Sequence, residues 1–471
     1  MSRVGTLIVL LILGSPVPSA ADEPALSERY AAVSEQIIEA TLERNNAWDR
    51  LVELCDDIGH RLSGSESLNQ AIAWALAVLE RDGHEAVRAE PVQVPRWVRG
   101  QESIALVEPR PQALRMLGLG GSVGTPPEGI TAEVEVVRNE EELEELGEAA
   151  RGKIVLFDNP MPPYTETHGT QYGRTVRFRV HGARLAAAHG AVAVLVRSVT
   201  DYSLYTAHTG AMKYGDAERR IPAAAIATED SALIARLRTR GRRVVVTLKM
   251  EARDEGMVPS ANVVAELRGS ALPEEVVVIS GHLDSWDVGQ GAHDDASGCV
   301  MAMEALSVLR RLNLRPKRTI RVVLWTNEEN GLGGGRQYAQ AHESELPNHV
   351  AAIEADTGCF APQGFSLDHA DATQRAIGVA QLTEILKLLA PIEATRAWSG
   401  FAGADLIPMG SHGVPRLGLR MDRSTYFRYH HTHADTVEKI NPAHLTKNVA
   451  AMAVLAYVLA DMPGRLGNWA E

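Results

Sequence analysis

The stretch GHLDSWDVGQGAHDDASG, Gly281 to Gly298, holds a histidine with an aspartate two positions on and, further along, two adjacent aspartates. His282, Asp284, Asp294 and Asp295 are a poor group to gather without a counter-charge. Two like charges ~4 Å apart at an effective dielectric near ~20 cost about 4 kcal/mol. Three later segments carry the same chemistry: TNEENGLGG with Glu328 and Glu329, EADTG with Asp356, and YHHTHADT, Tyr429 to Thr436, with His430 and His431. Imidazole and carboxylate ligands suit Zn2+, and two ions ~3.5 to 4 Å apart sharing a bridging carboxylate form a hydrolytic clamp. Sulfur is not required. Of the three cysteines, Cys299 and Cys359 lie near these carboxylates in sequence, yet Cys55, Cys299 and Cys359 read most simply as small buried hydrophobes. One pair plus a free thiol stays open.

The elements that must position these groups are strands. EEVVVIS (Glu274 to Ser280), RTIRVVLWTNEE and HVAAIEAD are near-continuous apolar runs, separated by the helix pattern SGCVMAMEALSVLRRL and followed by the closing helix PAHLTKNVAAMAVLAYVLADM. Such strands between helices predict a mixed, mainly parallel α/β sheet covered on both faces. Ligands of those sheets sit outside the carboxyl ends of the strands. Each candidate group follows directly on one of these runs.

Upstream, the spacing of Ile37, Ile38 and Leu42 and then of Leu51, Leu54 and Ile58 predicts helices closing at Gly59, with another amphipathic helix stopping at Gly83 before a strand. From Gly118 to Met250 the character changes to short β-branched runs broken by Gly and Pro, with two helices, GARLAAAHGA and EDSALIARLRTR. This reads as a β-rich module inserted into the other domain. Its glycine cluster GLGGSVG, Gly118 to Gly124, is a poor phosphate loop, because TPPEG stands where a helix would begin.

Length supports two domains, since 471 residues exceed what one ordinary core holds. A net charge of -13 with no Lys/Arg block argues against nucleic acid as partner. The N-terminus, with an apolar run from Val4 to Leu13, then Pro16, Pro18 and Ser19-Ala20-Ala21, predicts a secretory signal peptide over 1–21. That implies a secreted or periplasmic protein. No other stretch reads as a bilayer span.

In order and spacing, these four motifs resemble peptidase family M28, the di-zinc exopeptidases, and the likeness covers almost the whole mature chain. HLDSWDVGQGA and VPRWVRG (Val94 to Gly100) are closest to the family's carboxypeptidase branch, which carries a protease-associated (PA) insert. The resemblance implies a zinc-exopeptidase (phosphorylase/hydrolase-like) three-layer domain in two parts, 22–117 and 251–471, with a β-rich PA-like insert at 118–250. It implies two Zn2+ per chain, held by His282, Asp294 as the bridge, Glu329, Asp356 and His431. Glu328 would be the general base and Asp284 would orient His282 from outside the ligand set. The Asp294-Asp295 peptide would be cis. Where several relatives have Tyr before the last histidine ligand, this chain has His430, an alternative donor to the oxyanion.

The implied substrates are short peptides, dipeptides among them, and the nearer relatives imply a homodimer. An aminopeptidase of the same family and a non-catalytic ectodomain of the same fold stay as alternatives; the complete ligand set and Glu328 weigh against the second. His293, His433 and His60 are left outside the ligand set. Asp405 is read as a pocket wall or a helix cap, and Arg396, Arg420, Arg423 and Arg428 as carboxylate clamps or surface ion pairs.

Overall fold

Every residue of Arg318–Trp325 and His349–Glu354 is buried, as expected of strands covered on both faces. In the computed structural model, which describes residues 24–467, they are central strands of an eight-stranded mixed sheet. Its order is Glu85–Val98, Arg253–Leu267, Arg318–Trp325, Leu272–His282, His349–Glu354, Arg416–Met421, Pro362–Asp368 and Arg396–Ser399. The middle four run parallel. Antiparallel partners flank them at Arg253–Leu267 and Pro362–Asp368.

Strand alternation splits the apolar residues between two faces. Val277, Ile279, Ile320, Val322, Ala351 and Ile353 point into one core with the helices Ala31–Glu43, Ser297–Arg311 and Pro442–Asp461. Val276, Val278, Val323, Trp325 and Ala352 point into the other, where Tyr338 of Gly333–Ala341 and Leu406 and Met409 close it. The three layers of the expected exopeptidase domain are therefore present. Pro442–Asp461 is, among the described residues, long and apolar enough by length and composition to cross a bilayer, but 72% of its apolar window is buried inside the fold. Asn441 caps it, accepting from the Ala443 amide at 2.9 Å, and Pro442 opens it.

A second eight-stranded sheet holds Gln112–Ala113, Glu102–Glu108, Val245–Met250, Ile130–Val137, Ile154–Phe157, Ala193–Arg197, Ala223–Ile226 and Met116–Gly118, in that order. It reaches back to Glu102, past the Gly118 at which local patterning begins the module. The cause is a long-range one: Glu102–Glu108 pairs antiparallel with Val245–Met250 and brings the two ends of the segment together. GLGGSVG, Gly118 to Gly124, is a turn region entered from the strand Met116–Gly118, with a bridge from Gly120 to Ala211.

The two sheets meet through the motifs that carry the family likeness. Trp286 is buried against Gly120, where a Cβ would come within 2.0 Å of the indole, so no larger residue fits. Arg99 donates twice to Asp287, at 2.8 and 2.6 Å, and to the Gly118 carbonyl at 2.6 Å. Trp97 Nε1 donates to the Ser122 carbonyl at 2.9 Å. Cys55, Cys299 and Cys359 are all free and buried. The leader expected over 1–21 lies outside the described residues.

Candidate metal centre

His282 is the last residue of Leu272–His282. Its Nδ1 lies 2.9 Å from the main-chain carbonyl of Asp284. A proton on Nδ1 donates there, which leaves Nε2 as a lone-pair donor facing Asp294 Oδ1 at 3.3 Å and Asp356 Oδ1 at 3.6 Å. Asp356 stands two residues past His349–Glu354. The other oxygen of Asp294 lies 3.2 Å from His431 Nε2, and Glu329 Oε2 lies 3.0 Å from the same nitrogen. Asp294 thus lies between two groups, His282 with Asp356 on one side and Glu329 with His431 on the other.

The five residues implied as ligands are brought together from four segments that are distant in sequence. His430 also enters this cluster. Its Nε2 is 3.7 Å from Asp294 Oδ2, its ring stacks on His431 with centroids 3.5 Å apart, and Asp294, His430 and His431 together have the spacing of a metal-binding group. His282, Asp294 and Asp356 form the second such group. His282 Nε2, Asp294 Oδ2 and Glu329 Oε1 are buried and make no hydrogen bond. Buried lone pairs of this kind are costly unless something positive satisfies them. Nitrogen and oxygen donors at two adjoining three-residue groups fit a pair of divalent cations.

Burial raises the Glu329 carboxyl to about 7, with Asp294 adding to the shift and His431 opposing it. Burial also works against charge on His431, yet Glu329 and Asp294 outweigh it and lift the ring to about 9. Burial pushes Glu328 well above the usual carboxylate range, opposed by His282 and reinforced by Asp356, Asp405 and Glu329. Glu328 is half-buried and lines a cavity of about 430 Å³ together with Asp294, Glu329 and Asp356. The second sheet's segment supplies Tyr172 and Arg179 to the same cavity. A cleft shared by two packed units is a common place for a ligand.

Asp284 departs from its expected position. The carboxylate is 3.8 Å from His282 Nδ1, and the main-chain carbonyl takes that proton instead. Its two oxygens accept from the amides of Glu328 at 3.0 Å and Glu329 at 3.3 Å, and from Ser63 Oγ at 3.2 Å. The physical reason is reach: two residues beyond the strand end, a short side chain turns toward the neighbouring strand's loop. Asp284 fixes the backbone of Glu328 and Glu329.

The Asp294-Asp295 peptide is cis, as the resemblance implies. Asp295 accepts from the His282 amide and the Gly298 amide, both at 3.1 Å, so it ties a strand end to a helix start. His293 turns away, its Nδ1 accepting from the Cys359 amide at 3.0 Å between the rings of Phe360 and Tyr429. His60 and His433 are exposed. Asp405 is fully buried and neither caps a helix nor lines the cavity, although its neighbours Phe401 and Ala404 do line it.

Three supporting residues escape a reading by motif. Asp435 accepts from the amides of His293 at 2.7 Å and Asp294 at 3.1 Å, and its place inside HHTHADT is the only local signal. Arg61, fully buried, donates to the carbonyls of Gly59, Leu283, Gln290 and Gly291 and so holds the loop after His282. His208 Nδ1 lies 2.9 Å from the His430 carbonyl, with no sequence cue at all.

The model of peptidase family M28 matches residues 262–456 of this chain. Carboxypeptidase Q of Mus musculus is 44% identical over 419 residues, covering 89% of this chain and 86% of the relative. Among solved structures, a peptidase M28 precursor from Shewanella amazonensis superposes with TM-score 0.88 at 36% identity, covering 93% of this chain and 98% of that one. A zinc aminopeptidase from Bacillus subtilis, at 18% identity and TM-score 0.65 over 89% and 96% of the two chains, shares the fold. Identity sustained across nearly the whole chain marks common descent, and this chain belongs to peptidase family M28: it is a peptide-bond hydrolase.

Proposed function

We propose that the chain is a di-zinc exopeptidase of short peptides, dipeptides among them, with Glu328 as its general base. The observation that carries this reading is Asp294, whose two oxygens face His282 on one side and His431 on the other. His282, Asp294 and Asp356 would hold one Zn2+, and Asp294, Glu329 and His431 the other. Bound there, the ions supply Lewis-acid polarisation of the scissile carbonyl and acidify the attacking water.

The chain's own residues do the rest. Glu328, kept basic by burial and anchored through its amide to Asp284, takes the proton of the attacking water and returns it to the leaving amine. His430, held through its carbonyl by His208, presents Nε2 at the cavity, where it can donate to the developing oxyanion or enter the ligand set. The name of the relatives, carboxypeptidase Q, favours recognition from the carboxyl end of a peptide. The second sheet, with its strands running from Glu102 to Met250, is read as the protease-associated insert, and the apolar leader as an export signal that makes the enzyme secreted or periplasmic.

Glu328→Gln should keep the fold and bind zinc, yet lower kcat by ~10² or more. A variant as fast as the parent rules out Glu328 as the base. Rates on dipeptides with the amino or the carboxyl terminus blocked in turn decide which end is read.

A further inference from the structure

The segment NGLGGG, Asn330 to Gly335, follows directly on Glu328 and Glu329 and is mostly glycine. Packing explains much of that. A Cβ on Gly331 would come within 2.2 Å of Asn327 Oδ1, and one on Gly335 within 2.3 Å of the Asp405 carbonyl oxygen. Leu332 breaks the pattern. It has φ 55 and ψ 33, the left-handed region, whereas none of the glycines around it has a positive φ. Glycine takes that conformation freely and a branched side chain takes it at a cost, so the backbone asks for glycine where the chain supplies leucine.

Phe401 is a second unfavourable placement. Its loop is fixed: the Phe401 carbonyl accepts from Ser366 Oγ at 2.7 Å and from Arg420 Nη2 at 2.5 Å, and a Cβ on Gly403 would lie 2.4 Å from Cδ of the buried Glu354. The ring nevertheless stays 53% exposed, and of the large apolar residues exposed among the described residues it is the one that lines the metal cavity. Leu332 lines the same cavity, as do the buried Met212 and Phe427. Neither Leu332 nor Phe401 belongs to any of the apolar clusters that form the cores. Apolar side chains held at a cost and left open to a ligand cavity gain their burial from the ligand.

We propose that Leu332 and Phe401 are the specificity wall of the metal cavity, gripping an apolar side chain on a residue next to the scissile bond. This wall rests on the peptidase reading and adds its substrate class: peptides with a leucine-sized apolar residue at that place. The residue stands on the amino or the carboxyl side of the bond, and the chemistry of recognition is the same in both cases. Each further methylene buried in such a site is worth roughly 10-fold or more in kcat/KM.

The test measures kcat/KM for leucyl-glycine against alanyl-glycine and for glycyl-leucine against glycyl-alanine, all with zinc-loaded full-length protein. The expected parent enzyme prefers leucine over alanine by about 10- to 100-fold in one of the two pairs, and which pair shows it gives the side of the bond. Leu332→Gly and Phe401→Ser should each reduce that ratio by about 10-fold, mainly through KM, while Leu332→Met and Phe401→Leu keep most of it. Because glycine relieves the left-handed backbone, Leu332→Gly should melt at or above the parent Tm, which separates lost grip from lost fold. A ratio that survives both truncations overturns the proposal. So does a parent indifferent to leucine in both pairs, which leaves the peptidase reading intact. A change of oligomeric state in Phe401→Ser with the ratio unmoved assigns the ring to a contact between copies and overturns it too. Failure to hydrolyse any of the four peptides counts against the peptidase reading itself. Calorimetry on zinc-loaded Glu328→Gln then judges the wall without turnover: tighter binding of a leucine peptide than of its alanine counterpart, abolished by adding Phe401→Ser, supports it, and equal binding sinks it.

Discussion

His431 and Thr209 hold each other at two points: Nδ1 of the ring lies 3.2 Å from the Thr209 carbonyl, and the Thr209 amide donates to the His431 carbonyl at 3.0 Å. The proton this places on Nδ1 leaves Nε2 directed at Asp294 and Glu329. One candidate ligand is therefore oriented by a residue of the other unit. His208, next in the chain, adds the contact from its Nδ1 to the His430 carbonyl at 2.9 Å.

Removing that contact tests the coupling. His208→Ala should lower zinc affinity by ~10- to 100-fold at the site that includes His431, measured by competition with a chromophoric chelator. Unchanged affinity would mean that Thr209 alone suffices to hold the loop.

Asp284 makes a separable prediction because its carboxylate serves Glu328 and Glu329 and its carbonyl serves His282. Asp284→Ala keeps the carbonyl and deletes the acceptors of two amides. Turnover should fall by ~10- to 100-fold, with a smaller change in zinc content at the His282 group. Equal loss of both ions would show that the side chain does orient His282.

Chelation should destabilise the fold. The carboxylates of Asp294, Glu329 and Asp356 repel one another without cations, and ligands that bind only the folded state stabilise it by mass action. Calorimetry should give a lower Tm in excess chelator and recovery on adding back zinc. Identical melts would argue that the cluster does not load a metal under those conditions.

Acid sensitivity should arise in part far from the centre. Burial depresses His84 to about 4 and His349 to about 4, and each is held by hydrogen bonds that suit a neutral ring, His84 to Ser307 Oγ at 2.9 Å and His349 to Tyr338 Oη at 2.9 Å. Since the folded value lies below the ordinary 6.5, the unfolded chain takes up the proton first. The stabilisation is full above pH 6.5 and is lost as pH falls toward 4, by about 3 kcal/mol at most for each ring. Urea unfolding of His349→Gln across that range should show a shallower decline than the parent. Parallel curves would clear His349 of any part in it.

Much of the centre was legible in the chain because a parallel α/β sheet delivers its functional groups at strand ends. VVVIS, VVLWT and AAIEA mark those ends by composition alone, so His282, Glu328, Glu329 and Asp356 could be placed on one edge before any coordinates. The layered fold was legible for the same reason: burial on both faces writes a continuous apolar run. What local pattern does not carry is pairing between distant segments. Only the tertiary structure joined Glu102–Glu108 to Val245–Met250, set His208 and Thr209 behind His430 and His431, and turned the Asp284 carboxylate from its own histidine to the next loop. It likewise gave Arg416 an ion pair with Asp368, while Arg420 and Arg423 make none among the described residues. Residue types determined which chemistry was available; chain packing decided which atoms face one another, because hydrogen bonds and ion pairs act over a few ångströms of space and are blind to separation along the sequence.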